Sequence, residues 1–312
     1  MAHTDHRTMR RVLRREIVGT IGLLADEHDF RAMRRYRSFA FHDHAVYLQQ
    51  VEALLKTLAA QGSHTTVALF DPEEYAAWCA GAGLDPDASA SRARYTAELA
   101  TTGPAVPYDG RPLAELVPDL VDEAARQAAW EYATTLLARL GPCATCGEDI
   151  GRAAFARAAD LVARVLDTAP PGERHLVCSV TTVPQPLVAA LHADDDPPEG
   201  DRGAHSGLPA PDTGVTRLDE TEALGFTTVL ALGIATRSPG GLVMRTTAPG
   251  APDRVYGWRL RGDGLEPLTA GEVFDAYCTD MESGDLIGPE SDVDYSTPPD
   301  LGDAGPTHGH PH

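Results

Sequence analysis

The chain is almost without lysine. Lys56 stands alone against 25 arginines, and no basic residue of either kind follows Arg261. The 51 residues after Arg261 carry twelve carboxylates, which supply most of a formal net charge of -20. A field of that sign repels phosphate backbones and attracts cations, so nucleic acid is disfavoured as a partner and a basic protein is favoured. Long apolar runs are also lacking. The longest, around Val229 to Ala235, is interrupted by Gly233 and falls short of the roughly 20 residues that a membrane-spanning helix requires. The N-terminus opens on Met1-Ala2-His3-Thr4-Asp5-His6 and continues with arginines interleaved among apolar residues, where a secretory leader needs an unbroken apolar core. Cysteine is sparse and odd in number (Cys79, Cys143, Cys146, Cys178, Cys278), which speaks for reduced thiols rather than a disulfide scaffold. Together these absences place the chain, as an expectation, in the cytoplasm and off the membrane. Also missing are the G-x-x-x-x-G-K-[ST] loop, the G-x-G-x-x-G turn, the H-E-x-x-H helix and the G-x-S-x-G elbow. Nucleotide, zinc-protease and serine-hydrolase mechanisms therefore lose their usual sequence support.

What is present is enough to fold. With 312 residues, 43% of them hydrophobic, the chain can bury a full core. Leu13, Ile17, Ile21 and Leu24 recur at helical spacing among Arg10, Arg11, Arg14 and Arg15, so a basic amphipathic helix is expected over about 9–24. Its apolar stripe would pack on the body or on a second copy, which leaves self-association open. Tyr47, Val51, Leu55 and Leu58 mark a helix ending near Gly62. Thr65 to Phe70 reads as a strand running into a helix through Asp71-Pro72-Glu73-Glu74, an N-cap, a first-turn proline and two first-turn acids. Helices are expected at about 92–100, 113–140 (with a break or kink at Pro118) and 149–166, and a strand at 174–182. The stretch 194–211 reads as a loop. Three β-rich runs, at 226–236, 242–247 and 254–261, read as an antiparallel meander, followed by a helix opened by the capping box Thr269-Ala270-Gly271-Glu272. The expected fold is α/β or α+β, a mixed sheet of about five strands with a C-terminal antiparallel meander, covered by helices. Its organisation is a basic helical segment over 1–40, a globular domain over 41–281 and an acidic disordered tail over 282–312.

Few residues carry chemistry. Cys143-Ala144-Thr145-Cys146-Gly147 offers two thiols at the spacing of a zinc knuckle, and it precedes a helix whose N-terminal dipole favours thiolate, so metal and redox roles both apply. A zinc site needs four ligands, and no second CxxC or CxxH pair exists. Two idle helix-boundary thiols are the plain alternative. His42-Asp43-His44, with His64 before the first expected strand and Asp71 after it, could gather imidazoles and carboxylates at the carboxyl edge of a sheet. Against that, Asp43 and Asp71 both serve as helix caps. Asp194-Asp195-Asp196 lacks the spacing of a calcium loop, and His308, His310 and His312 suggest only adventitious metal binding. The reading that results is a non-enzymatic regulatory or protein-interaction protein. Its acidic C-terminal region would contact a basic protein or the chain's own Arg-rich N-terminal segment. The alternative is a metal- or thiol-dependent enzyme built on Cys143 and Cys146 or on His42, His44 and Asp71.

Overall fold

The computed structural model describes residues 19–183, 185–195, 216–279 and 285–301. The chain divides into two compact units, Met1–Gln127 and Ala128–His312, a division that falls inside a helix and has no linker composition to announce it.

The first unit opens on a strand, β1 (Gly19–Leu23), followed by α1 (Glu27–Met33), α2 (His44–Ala60), β2 (Thr65–Leu69), α3 (Pro72–Ala82), α4 (Ser89–Thr102) and β3 (Ala105–Pro107). β1 and β2 are parallel, Ile21 opposite Val67, and β3 joins β2 antiparallel. The expected N-terminal helix is thus corrected over its last turn, since Ile21 belongs to a strand and Leu24 is buried just past its end; residues 1–18, with Leu13 and Ile17 of that stripe, lie outside the described residues. Helical spacing here coincided with a Gly-Thr-Ile-Gly-Leu stretch whose β-branched centre pairs with Thr66 and Val67. The helix starts behave as the capping residues dictate. Asp43 accepts from the Val46 amide (2.9 Å), Asp71 accepts from the amides of Glu73 and Glu74, and Gly83 closes α3 in the left-handed region. The core is strongly aromatic: Phe30, Tyr36, Tyr47, Phe70, Tyr75 and Tyr95 are buried together, with Tyr75 5.2 Å from Phe70 and 5.4 Å from Tyr95.

α5 (Leu113–Leu140) runs from the first unit into the second and contains Pro118 without ending there. The second unit continues with α6 (Ile150–Thr168), β4 (Glu173–Val180), β5 (Leu187–Asp195), β6 (Thr216–Leu218), α7 (Glu220–Thr236), β7 (Gly240–Thr247), β8 (Asp253–Arg261), β9 (Gly264–Pro267), α8 (Ala270–Tyr277) and β10 (Val293–Tyr295). Seven strands form one sheet in the order β10-β8-β7-β4-β5-β6, with β9 also on β8. The sheet is mixed, because β10 pairs parallel to β8 while the other neighbours are antiparallel. α6 and α7 pack against one another, and their apolar side chains share a core with Leu176, Cys178, Leu191, Met244 and Trp258 of the inner sheet face.

Two further elements differ from the sequence expectation. The run 226–236, expected as a strand, lies in helix α7, capped by Asp219 on the amides of Thr221 and Glu222 (2.9 Å each). Phe226 to Ile234 are all buried, so the helix is apolar on every side and shows no periodicity to read. Gly233 permits its close seat, since a Cβ there would stand 2.6 Å from Leu260 Cδ2 and 2.9 Å from Val180 Cγ2. Second, β5 reaches into the stretch assigned to a loop: Asp194 and Asp195 pair with Arg217 and Thr216, while 196–215 lie outside the described residues. Within the acidic C-terminal region, residues 285–301 carry β10 and bury Leu301 in the core of the second unit; 302–312 lie outside the described residues.

Candidate functional site

Three places in the fold hold chemistry. The first is the carboxyl edge of the parallel pair β1/β2, where α/β folds present ligand-binding groups. Asp26 caps α1, accepting from the Asp29 amide at 2.8 Å. Ligand atoms of Asp26, His28 and Asp29 lie within 4.8 Å of one another, the one such cluster of three among the described residues. Partial burial pushes the Asp29 carboxyl above its usual range, His28 opposes this by hydrogen bonding, and the charges of Asp26 and of Asp71, which follows β2, add to the rise. Of the residues proposed from sequence, only Asp71 adjoins this group. His44 is taken into structure: its Nε2 sits 2.9 Å from the Leu24 carbonyl, and its ring lies 5.1 Å from Phe30. His42 is exposed and outside the cluster, and the carbonyl of His64 accepts from Gly19 at the opposite, amino end of the strands (3.1 Å). Asp26, His28 and Asp29 escaped the sequence reading because a helix was assigned up to their doorstep.

The second place is the connection from α5 to α6. Pro142 and Asp149 form an antiparallel bridge, Cys143 N–H donates to the Glu148 carbonyl at 2.7 Å, and Gly147 N–H to the Cys143 carbonyl at 2.8 Å. Gly147 turns the chain with a φ of 75°, a value few side chains adopt. The Thr145 amide donates to Cys143 Sγ at 3.4 Å. Cys143 is half-buried and Cys146 exposed, whereas Cys79, Cys178 and Cys278 are all buried in the cores. Burial pushes the Cys178 thiol up to about 12, which makes it inert. The CxxC is thus the one pair of cysteines, among the described residues, that is presented to solvent.

The third is an unpaired strand edge. β5 pairs with β4 from Leu187 to Ala193, but its other side meets β6 only at 193–195. At the border the Glu222 carboxylate accepts from His192 N–H (3.1 Å) and holds His192 Nδ1 at 3.0 Å. Alternate residues face the same edge, so Val188 and Ala190, on the side of His192, present N–H and C=O groups with no strand beside them among the described residues. Val188 is 49% exposed.

His192 stacks on His175 across β5 and β4 at 4.4 Å. Partial burial, and then the neighbouring His192, lower the His175 pKa, against Glu222, which raises it. A histidine lowered in the folded state binds its proton more readily once unfolded. Its contribution is therefore fully present above the ordinary value of 6.5 and is lost as the pH falls below it. Melting temperatures should drop between pH 7.5 and 5 by less in His175→Gln than in the parent chain; equal drops would remove His175 from the account.

The acids of the C-terminal region are partly used within the chain. Arg245 contacts Asp253 (2.7 Å) and Glu290 (2.9 Å), Arg259 contacts Glu272 (3.4 Å) and Arg261 contacts Glu266 (3.3 Å). No helix of the described residues is long and apolar enough to cross a membrane. No curated protein and no solved structure matches the chain. A family model described as a domain of unknown function (DUF8829) matches residues 8–111, the part of the sequence that holds β1 to β3 and the carboxyl-edge cluster.

Proposed function

We propose that this is a non-enzymatic interaction protein that takes up an extended segment of a basic partner by strand addition to β5. The observation that carries this reading is the edge from Leu187 to Leu191, which meets no strand among the described residues, on a strand whose other side is paired with β4 from Leu187 to Ala193. Backbone groups at such an edge are a template for a further strand, and side chains along it set the preference. Here Val188 and Ala190 offer apolar contact at one end, while Asp194 and Glu220 are exposed acids at the other. A partner alternating apolar and basic residues suits both, in keeping with the chain's overall charge of -20. The chain's own Arg-rich N-terminal segment is a competing occupant of the same chemistry.

Ala190→Pro tests this directly. Proline is tolerated where the lost N–H faces away from the ladder, so the pairing of β5 with β4 survives while the edge loses a donor. A labelled peptide of alternating Val and Arg, titrated by fluorescence anisotropy at low salt, should bind the parent chain saturably and Ala190→Pro at least ~10-fold more weakly, the equivalent of ~1.4 kcal/mol. Equal binding by both, or by a peptide N-methylated at alternate positions, would overturn the reading. Tighter binding after removal of residues 1–18 would identify the chain's own segment as the competitor.

A second reading rests on the Asp26, His28 and Asp29 cluster, whose raised Asp29 carboxyl a divalent cation would lower again. It implies a cation-dependent enzyme, and calorimetric titration of Mn2+ into the parent chain and Asp29→Asn checks it: binding lost in the variant supports it, while no heat in either removes it.

A further inference from the structure

We propose that Cys143 and Cys146 form half of a tetrathiolate zinc site completed by the same two residues of a second copy, so that the metal makes the protein a dimer. The inference is independent of the strand edge. Its first ground is local geometry. The hairpin from Gly141 to Ile150 is closed by backbone hydrogen bonds at both levels, Cys143 to Glu148 and Ile150 N–H to the Gly141 carbonyl (3.1 Å). Within it the Thr145 amide donates to Cys143 Sγ at 3.4 Å, and Gly147 supplies the left-handed turn after the second cysteine. Two sulfurs three residues apart on such a turn suit two corners of a tetrahedron.

The second ground is where the other two corners can come from. Zinc in a closed site takes four N or S ligands. Cys79, Cys178 and Cys278 are buried in the cores, and no third His, Cys, Asp or Glu joins the two thiols in a ligating cluster among the described residues. The knuckle is by contrast presented outward, with Ala144, Thr145, Cys146 and Gly147 all exposed and Leu140 exposed in the helix turn before it. A second copy brings an identical pair, and a two-fold axis through the metal completes four thiolates with no residue the sequence does not have. Arg139 in the last turn of α5 and Arg152 in the first turn of α6, with the N-terminal dipole of α6, stand against the Glu148 and Asp149 carboxylates of the same hairpin and a centre of net charge -2. Each chain gives up two thiol protons, so one hydrated Zn2+ exchanges its waters for four thiolates with release of four protons, and assembly strengthens as the pH rises.

The test uses the full chain without an affinity tag, reduced and stripped of metal, then titrated with ZnCl2 and in parallel with CoCl2. Light scattering should show the mass doubling from 33.2 kDa, saturating at one metal per two chains, and cobalt should give the intense thiolate charge-transfer absorption of an all-sulfur tetrahedral site. Cys143→Ser and Cys146→Ser should each abolish the mass change. Because a substitution could disturb the hairpin, iodoacetamide treatment of the folded parent chain serves as a second route and should abolish it as well. A monomer binding one metal per chain, the absence of metal binding, or a zinc-induced dimer that survives loss of both thiols would each overturn the proposal.

Discussion

Replacing Asp195 by alanine should lower the stability of the second unit by about 3 kcal/mol, through an ion pair at the β6 end of the strand that carries the candidate edge. Its partner Arg174 is only 4% exposed, on the inner face of β4 beside Leu176. The guanidinium donates to Asp195 Oδ2 and, through Nε, to the Pro170 carbonyl at 3.1 Å, while its Nη1 is buried with no hydrogen-bond partner among the described residues. Asp195 further accepts from the Gly172 amide (3.2 Å) and the Thr216 hydroxyl (3.0 Å), tying together the start of β4, the end of β5 and β6. Without the carboxylate a buried cation stands uncompensated, which costs far more than the pair itself contributes. At roughly 2 to 4 °C per kcal/mol for a unit of this size, the melting temperature should fall by roughly 6 to 12 °C. Arg174→Met removes the charge together with its need for a partner and should stay within about 1.5 kcal/mol of the parent. When Arg174→Met and Asp195→Ala are combined in one chain, the two losses should not add. Thermal unfolding of the four proteins forms a complete cycle. A loss below about 1 kcal/mol in Asp195→Ala would show that solvent reaches Arg174 and that the pair is an ordinary surface contact.

What was legible in the sequence was chiefly what is local. Asp43, Asp71 and the pair Thr269/Glu272 act where their spacing places them, because a cap is decided by three or four consecutive residues. The parts that were lost depend on the rest of the chain. α7 reads as a strand because burial on all sides removes the polar face that would betray a helix, and β-branched Thr227, Thr228 and Val229 point the other way. β5, with three alanines and a histidine between Leu187 and Ala193, has little strand propensity and is held by its pairing with β4. The same division applies to chemistry. Cys143 and Cys146 are neighbours in sequence and needed only the turn between them, whereas Asp29 and Asp71 meet only because β1 and β2 are parallel and adjacent.

Ending the chain at Gly284 should destabilise the second unit by about 3 kcal/mol, where a solvated tail would leave it unchanged. Removing 285–301 strips β10 from β8, and with it the bonds from Asp253 N–H to the Asp292 carbonyl (3.1 Å) and from Ser296 N–H to the Val255 carbonyl (3.0 Å). It withdraws Leu301, 8% exposed in the main core, with the Arg164 guanidinium donating to its carbonyl. It also leaves Tyr277 and Arg245 without Glu290, and Phe274 without the edge-on ring of Tyr295 at 5.2 Å. Burial of one leucine is worth about 2 kcal/mol and each backbone hydrogen bond about 1 kcal/mol, against which the entropy of ordering the segment must be set. Two comparisons give the prediction its edge. Leu301→Ala should account for about 2 kcal/mol of the loss. Glu290→Gln should matter little at high salt and more at low salt, since its contact with Arg245 is exposed and screened. Arg245 holds the carboxyls of both Asp253 and Glu290 below their usual values, so this support is present at neutral pH and is lost as the pH falls through the lowered values. A chain ending at Gly284 that melts with the parent would mean that β10 rests on the sheet without stabilising it. The twelve acids after Arg261 would then act through their charge alone.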